Sequence, residues 1–240
     1  VSTPSSGVKQ TLLPTRLPKE TAQEAMLLLG SVLVNGPTQT VASEHKETVS
    51  TGGNAANVAV GTSRLGLNSA IVTEVGDDTA GEHVFANLKD SGVDTTLVHL
   101  IKKQKTRMSV ILLYKKERTI LSFHDKQKYN LPPIPKTRAI YYTSLGVSFK
   151  KIQTKLITEI KKQPNILLAV NPGSYQMRQG LLEFKKILPY TKILFVNLEE
   201  AKKLIGKNLP IKKLFVLLHK QGPQTIVITN TKNGSYASFN

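Results

Sequence analysis

Residues 51–66 have the sequence TGGNAANVAVGTSRLG, in which two glycines precede a stretch with the composition of a closely packed helix. The alanines allow close packing, and Gly66 stands where a glycine commonly ends a helix. Two glycines before a helix let a ligand approach the backbone closely, and the helix start offers unpaired N–H groups. The segment therefore predicts a helix over 54–65 with a candidate binding turn in front of it.

The amides of Asn54 and Asn57 stand about one helical turn apart behind these glycines. Both could face a polyhydroxylated ligand, because a carboxamide donates and accepts hydrogen bonds. A plain turn capped by Asn54 explains the same residues equally well. The spacing alone does not choose between the two interpretations.

Strand and helix patterns alternate along the rest of the chain. Strands are predicted over 25–30, 70–75, 139–145, 166–170, 193–196 and 225–229, and helices over 79–91, 150–162, 176–187, 199–205 and 211–220. Thr79 and Glu82 have the spacing of a capping box at a helix start. The continuous apolar run 166–170 suits a parallel sheet with helices on both faces. We therefore predict a layered α/β domain.

Two further segments depart from this alternation. The β-rich runs 107–114 and 118–124 are joined by Lys115-Lys116-Glu117 and predict a hairpin. Because the hairpin interrupts the α/β pattern, we expect it to lie outside the main sheet. Residues 1–24 contain three prolines and no hydrophobic periodicity, and we interpret them as an irregular leader.

The composition of the 240 residues excludes several classes of protein. The absence of cysteine excludes disulfides and thiolate chemistry. The longest apolar run near the start, 25–29, is too short for a signal peptide or a membrane span, so we expect a soluble cytoplasmic protein. The Walker A and G-x-G-x-x-G phosphate loops are also absent.

The net charge of +17 is unevenly distributed. Residues 1–100 carry a net charge of −4 and residues 101–240 one of +21, which makes nucleic-acid binding one hypothesis. Lysine pairs flanked by apolar residues favour solvated helix faces instead, and few aromatic side chains lie among them to stack on bases. The pairs are Lys115-Lys116, Lys150-Lys151, Lys161-Lys162, Lys185-Lys186, Lys202-Lys203 and Lys212-Lys213.

The histidines and the paired aspartates give weak functional signals. The five histidines stand singly, without the short spacings that place two ligands on one metal, so we interpret them as ordinary surface or core residues. Asp77 and Asp78 are adjacent carboxylates just before a predicted helix. Capping is favoured there over acid–base catalysis.

Motifs distributed over residues 25–240 resemble, in order, those of the ribokinase (PfkB) family of carbohydrate kinases. The matching segments are Gly30-Ser31 with Asn35, the run 52–59, Arg64-Leu65-Gly66, Val75-Gly76-Asp77-Asp78 with Gly81, Leu88, the run 91–95, the runs 107–113 and 117–120, Asn171-Pro172-Gly173, Asn197-Leu198-Glu199-Glu200, and Ile228-Thr229 to Gly234. The resemblance implies a ribokinase-like three-layer α/β/α sandwich with a small β lid. The lid strands would fall at about 38–50 and 106–124.

By this resemblance the chain would act in ATP-dependent phosphoryl transfer to a hydroxymethyl group of a sugar-like small molecule. Gly52, Gly53 and Asn57 would contact the substrate hydroxyls. The family's sugar-binding aspartate falls at Asn35, which keeps hydrogen bonding but lacks the charge. Sugars, nucleosides and sugar phosphates all stay open as acceptors.

The resemblance also implies ATP and Mg²⁺ as cofactors. Asn197 and Glu200 would organise phosphate and Mg²⁺ through water, and the loop from Thr229 to Gly234 would lie against the nucleotide. The first glycine of the family's T-x-G-x-x-G loop falls at Thr231, and a β-branched residue tolerates positive φ poorly. We therefore expect nucleotide binding at this loop to be weakened or rearranged.

The family's Gly-Ala-Gly-Asp signature does not occur in the 240 residues. Its aspartate is the base that takes the hydroxyl proton, and its N–H groups form an anion hole. We therefore nominate no catalytic residue, expect the base to lie beyond Asn240, and expect 25–240 to be an incomplete domain. Kinase activity near background and marginal stability follow from that expectation.

Two other functions and one assembly stay open. The first function is a non-catalytic remnant that binds a sugar or a nucleotide. The second is the nucleic-acid-binding protein suggested by the charge of residues 101–240. A homodimer formed through the lid is compatible with each of the three readings.

Overall fold

The computed structural model describes residues 26–29, 33–35, 39–40, 50–114, 117–123 and 130–240. The strands are β1 Met26–Leu29, β2 Leu33–Asn35, β3 Gln39–Thr40, β4 Ser50–Gly52, β5 Ser69–Gly76, β6 Val98–Ile101, β7 Met108–Tyr114, β8 Glu117–Phe123, β9 Ala139–Tyr142, β10 Leu167–Val170, β11 Ile193–Asn197, β12 Thr225–Thr229 and β13 Ser235–Phe239. The helices are α1 Asn54–Arg64, α2 Thr79–Asp90, α3 Phe149–Lys162, α4 Ser174–Gln179, α5 Leu181–Lys185, α6 Leu198–Ile205 and α7 Ile211–His219. Leu188–Tyr190 and Thr231–Asn233 form short 3-10 turns.

The strands form two separate sheets. The larger has the order β13-β12-β11-β10-β9-β1-β5-β6 and is parallel except for β13, which pairs antiparallel with β12. The smaller has the order β3-β7-β2-β4, and β8 pairs antiparallel with β7. The hairpin predicted outside the main sheet is confirmed. The leader predicted over 1–24 and most of the lid segment 38–50 lie outside the described residues.

Helices pack on both faces of the larger sheet, which confirms the three-layer α/β/α prediction. On one face, buried side chains of α3, α5, α6 and α7 pack against β9 to β12, with Phe149, Leu156 and Leu214 among them. On the other face, α1 and α2 pack against β5 and its neighbours. The described helices that contact β11 and β12 are α6 and α7, both on the first face. Phe195 and Val227, on the second face, are half-exposed.

Helix α1 begins and ends as residues 51–66 predict. Gly53, with φ 94°, and Gly66, with φ 85°, have left-handed backbone that glycine adopts without strain. The side chains of Ala55, Ala56 and Ala59 are at most 1% exposed. Their small size lets α1 lie close to the sheet and brings its first residue, Asn54, to the carboxyl ends of neighbouring strands.

Helix α2 is capped by Asp78, one residue before the Thr79 of the predicted capping box. Asp78, not Thr79, is the N-cap residue, and its Oδ1 accepts a hydrogen bond from the Gly81 N–H at 2.9 Å. The carboxylate also accepts from the Thr106 N–H at 3.0 Å and from the Thr106 hydroxyl at 2.5 Å. Burial raises the pKa of Asp78, but these hydrogen bonds outweigh it and hold the pKa below its ordinary value. The capping interpretation of Asp78 is confirmed.

The single helix predicted over 176–187 is wrong. The structure has α4 and α5 there, separated at Gly180. A Cβ at this position would collide with the ring of Phe149, so the close approach of Phe149 requires a glycine in the middle of the segment. The short strands β6 and β13 were not predicted, because neither has a long apolar or alternating pattern.

The lysine pairs of the described residues lie in helices or at a helix end, with exposed or half-exposed side chains. This placement confirms the prediction of solvated helix faces. Helices long and apolar enough to cross a lipid bilayer are absent from the part of the chain that the structure describes.

Candidate functional site

A cavity of about 280 Å³ lies at the carboxyl ends of β9, β10, β11 and β12. Ligands of parallel α/β sheets characteristically bind at this edge. Its lining residues follow or end these strands, with one contribution from the start of α1. They are Asn54, Ser144, Asn171, Pro172, Gly173, Ser174, Phe195, Val196, Asn197, Glu200 and Thr229.

Asn54 uses its amide to join α1 to two of these strand ends. Its Nδ2 donates to Asn171 Oδ1 at 3.0 Å, to Ser144 Oγ at 3.3 Å and to Thr143 Oγ1 at 3.4 Å. The alternative that Asn54 caps its own helix is wrong, because the N-cap position is Gly53 and no side chain caps α1. Asn54 instead holds the carboxyl ends of β9 and β10 against the start of α1.

Asn171 is the centre of this cluster. Its Oδ1 accepts from the Asn54 amide and also from the Tyr141 hydroxyl at 3.3 Å. Its Nδ2 donates to the backbone oxygen of Phe195 at 2.9 Å. One carboxamide therefore ties the end of β10 to β9, β11 and α1.

Asn197 and Glu200 form a reciprocal capping box at the start of α6. Glu200 N–H donates to Asn197 Oδ1 at 2.8 Å, and Asn197 N–H donates to Glu200 Oε2 at 2.9 Å. Burial raises the pKa of Glu200, and the hydrogen bond from the Asn197 N–H offsets part of that rise. The N-x-x-E spacing thus has a structural role in addition to the Mg²⁺ role that the resemblance implies.

The donor set at Glu200 fits a hydrated Mg²⁺ ion. Oε2 of Glu200 is engaged by the Asn197 N–H, and Oε1 is left for a ligand. Within the described ranges there is no group of three or more carboxylate and histidine side chains that could hold a metal ion. Mg²⁺ commonly keeps several waters and binds through one or two carboxylates plus phosphate oxygens, so a single carboxylate suits it.

The predicted nucleotide loop is divided by the structure. Thr229 lines the cavity, whereas Thr231 and Gly234 do not line it and are exposed. Thr231 has φ 46° and Gly234 has φ 82°. The threonine therefore adopts the left-handed backbone that a glycine would adopt, at the cost of strain. The loop thus keeps, at Thr231, the backbone conformation that a glycine would have there.

The predicted substrate residues are not brought together at this cavity. Gly52 is buried in β4, Gly53 precedes α1, and the backbone of Asn35 lies in β2 while its side chain lies outside the described residues. None of the three is among the residues that line the cavity at the strand ends.

The structure places Asn54 and Asn57 in the linings of two different cavities. Asn57 lines a separate cavity of about 300 Å³ with Arg64 of α1 and Asn87 of α2. The amide of Asn54, at the first position of α1, turns back to the ends of β9 and β10 instead. Contact of Asn57 with a substrate stays a prediction.

Sequence reasoning missed Ser144 and Gly173 as lining residues, and it assigned no role to Asn171 beyond a matching motif. A signal for them exists. Asn171 and Gly173 follow the predicted strand 166–170, whereas Ser144 lies inside the predicted strand 139–145, which in the structure ends at Tyr142. Polar or small residues at the carboxyl end of a strand in a parallel sheet lie at the binding edge. The sequence 171–173 after the apolar run 166–170 is the clearer case.

Comparisons with known proteins agree with this architecture. Residues 28–239 match the family described as pfkB family carbohydrate kinase. The chain is 25% identical over 204 residues to the ATP-dependent 6-phosphofructokinase of Thermoanaerobacterium thermosaccharolyticum, covering 78% of this chain and 62% of that protein. It is 22% identical over 212 residues to the ribokinase of Haemophilus influenzae, covering 84% of this chain and 67% of that protein.

A solved structure supports the fold independently. The ribokinase of Arabidopsis thaliana complexed with ribose and ATP superposes with a TM-score of 0.72 at 16% identity, covering 91% of this chain and 75% of that one. This likeness confirms the ribokinase-like fold. The family match over residues 28–239 shows that the chain belongs to the pfkB family of carbohydrate kinases.

Proposed function

We propose that this chain carries the substrate- and nucleotide-binding part of an ATP-dependent kinase that phosphorylates a hydroxyl group of a sugar or sugar-like small molecule. The observation that supports it most is the convergence of Asn171, Asn197, Glu200 and Thr229 on one cavity at the strand ends. Family membership supports the same reaction class. The activity of the whole protein is part of this proposal, because the chain spans only 62% of the phosphofructokinase.

The arrangement suits the demands of phosphoryl transfer, which needs positioning and charge neutralisation more than covalent participation by the protein. Glu200 Oε1, with Asn197 beside it, would organise Mg²⁺ and phosphate through water. The ion, when bound, neutralises negative charge on the phosphates. Thr229 would border the phosphates inside the cavity, and the exposed Thr231 and Gly234 would lie along the outer part of the nucleotide.

On the acceptor side, Asn35, Gly52, Gly53 and Asn57 would contact substrate hydroxyls. They belong to β2, β4 and the first turns of α1, so they would approach the acceptor from the side of the smaller sheet. The acceptor class is a free sugar or a sugar phosphate. The two curated relatives named above are a ribokinase and a 6-phosphofructokinase, one of each kind.

Isothermal titration of the purified chain tests the binding part of the proposal. The ligands are ATP with Mg²⁺, ATP with a chelator, and then ribose, fructose and fructose 6-phosphate, each with a non-hydrolysable ATP analogue present. We expect ATP to bind more tightly with Mg²⁺ than without it, and one of the three acceptors to bind. Absence of binding by ATP and by all three acceptors would contradict the proposal.

A non-catalytic binding protein is the second candidate, and one observation favours it. Among the described lining residues, Glu200 is the only carboxylate, and one of its two oxygens is engaged in the capping box. Among the described residues, the cavity therefore has no second carboxylate that could take the hydroxyl proton. An assay coupled to ADP release tests this second candidate, because multiple turnovers with a bound acceptor would contradict it. Binding without turnover is expected of these 240 residues under either candidate.

Nucleic-acid binding driven by the charge of residues 101–240 has a test of its own. It predicts affinity for duplex DNA that falls steeply with salt, by a slope of about −0.9 per phosphate contact on logarithmic axes. A flat salt dependence would remove this alternative. The cytoplasmic location and the homodimer through the lid stay predictions.

A further inference from the structure

Gln176 of α4 is completely buried, and its amide contacts two chain segments. Its Oε1 accepts from the Gly173 N–H at 2.6 Å and from the Leu145 N–H at 3.4 Å. Its Nε2 donates to the Tyr142 hydroxyl at 3.2 Å and to the backbone oxygen of Thr143 at 3.5 Å. A single side chain therefore binds both the segment after β9 and the segment after β10.

These two segments, 143–146 and 171–174, form one side of the cavity, which we call the wall. They supply Ser144, Asn171 and Gly173 to the lining. They also touch each other, since a Cβ on Gly173 would lie 2.7 Å from the Cα of Ser144. The two segments follow neighbouring strands, and the Asn171 N–H donates to the Tyr142 oxygen at 2.9 Å, so the position of the wall depends on the contacts that hold both strand ends together.

We propose that Gln176 is a positioning residue that clamps the two segments of the wall together and so sets the shape of the binding cavity. The clamp itself is inferred from the hydrogen bonds of Gln176. Its effect on ligand affinity rests on the proposed function. Gln176 does not line the cavity, so it acts through Gly173, Leu145 and Thr143.

The energetic argument favours a dedicated clamp over incidental packing. A fully buried amide that lost its partners would leave donors and acceptors unsatisfied, which is costly inside a protein. All four hydrogen bonds of this amide go to the two strand ends and the residues after them. A methionine would fill the same space and make none of them.

Gln153 of α3 provides a matched control. It is 1% exposed, and its Nε2 donates to the backbone oxygen of Glu183 at 2.6 Å, away from the cavity. Replacing either glutamine with methionine removes a buried hydrogen-bonding amide. Only the Gln176 variant removes contacts to the wall.

The first readout is hydrogen exchange measured by mass spectrometry on the wild type, Gln176→Met and Gln153→Met, well below their melting temperatures. We expect exchange in peptides covering both 143–146 and 171–174 to accelerate about tenfold or more in Gln176→Met and to stay unchanged in Gln153→Met. Acceleration in only one segment, or in neither, would overturn the clamp. This readout needs no ligand, so it stands even if the proposed function fails.

The second readout is the Kd for ATP with Mg²⁺. Gln176→Met is expected to raise it at least tenfold. Gln153→Met, which removes one hydrogen bond and a buried Oε1 that has no partner among the described residues, should leave it within twofold. Gln176→Glu adds a pH-dependent test. A protonated carboxyl can replace the amide, whereas an ionised carboxylate would repel the Thr143 oxygen. The ratio of the variant's Kd to the wild-type Kd should therefore rise with pH.

An unchanged Kd in Gln176→Met would overturn the positioning role. If wild type fails to bind ATP while both wall segments exchange faster in Gln176→Met, the proposed function alone is contradicted.

Discussion

The two sides of the cavity differ in how much of their hydrogen bonding is already used within the protein. In the wall, formed by 143–146 and 171–174, Asn171 makes three side-chain hydrogen bonds and Gln176 four. On the opposite side, which we call the rim, segments 197–200 and 229–234 are largely exposed, and Glu200 keeps one carboxylate oxygen for a ligand. This difference supports our proposals that the wall fixes the shape of the site and that the rim contacts the phosphates.

The largest expected effect is the loss of Asn171. Asn171→Ala removes contacts to Asn54, Tyr141 and the Phe195 carbonyl, and we expect it to lower the free energy of unfolding by about 2–3 kcal/mol. The rim counterpart, Asn197→Ala, loses one helix cap and should cost about 1 kcal/mol. Urea denaturation of both variants checks the ratio. A rim variant as damaging as the wall variant would contradict the distinction.

Gly173→Ala tests the contact between the two segments of the wall. The new Cβ would meet the Cα and Cβ of Ser144, at 2.7 and 2.8 Å, so the segments must separate at a cost of about 1–3 kcal/mol. Gly61→Ala is the control, because Gly61 lies inside α1 with nothing within 4 Å of an added Cβ. That substitution should stabilise the protein by about 0.5–1 kcal/mol. Thermal melts that move in the same direction for both would argue against a tight wall.

A smaller effect is expected for Glu200→Gln, with a definite pH dependence. Because the folded-state pKa of Glu200 is raised, the ionised carboxylate is less favourable in the folded than in the unfolded protein. Wild-type stability should therefore fall, relative to Glu200→Gln, as the pH rises from about 4.5 through the folded-state pKa. Glutamine keeps the acceptor for the Asn197 N–H. Denaturation curves between pH 4 and pH 8 measure the difference in free energy of unfolding between the two proteins. If wild type becomes more stable relative to Glu200→Gln as the pH rises, the prediction is contradicted.

The smallest expected effect is at Thr231. Thr231→Gly relieves the left-handed strain at φ 46° but increases the entropy of the unfolded chain. The two terms leave a net stabilisation of about 0.5 kcal/mol. A calorimetric melt of the variant measures it, and a loss of stability would show that the Thr231 side chain contributes more than its exposure indicates.

The sequence was sufficient for the architecture but not for the site geometry. The alternation of the longer strands and helices, the separate hairpin, the start of α1 and the capping at Asp78 follow from local patterns in which apolar period, glycines and caps agree. The short strands β6 and β13 have no such pattern. The break at Gly180 does not, because it depends on Phe149, a residue far away in the chain. Secondary structure that is set by such a tertiary contact has no local signal.

The same reasoning explains the site. Asn197, Glu200 and Thr229 were predicted through motifs and do line the cavity. The separation of Asn54 from Asn57 was not predictable, because spacing along a helix does not say that the Asn54 amide is taken by Asn171. The sequence also gives no signal for the clamp at Gln176, because its partners lie at strand ends that only the fold brings together.

Titration of ATP in the presence and absence of Mg²⁺ against wild type, Glu200→Gln and Glu199→Gln tests most directly whether the cavity binds a metal–nucleotide complex. Glu199 is adjacent but its side chain is 80% exposed and pairs with Lys202, a surface contact of little energetic weight. We predict that wild type and Glu199→Gln bind MgATP with the same Kd within about twofold. Glu200→Gln should bind at least about tenfold more weakly and lose its dependence on Mg²⁺. Equal, Mg²⁺-dependent affinity of all three proteins would contradict the account.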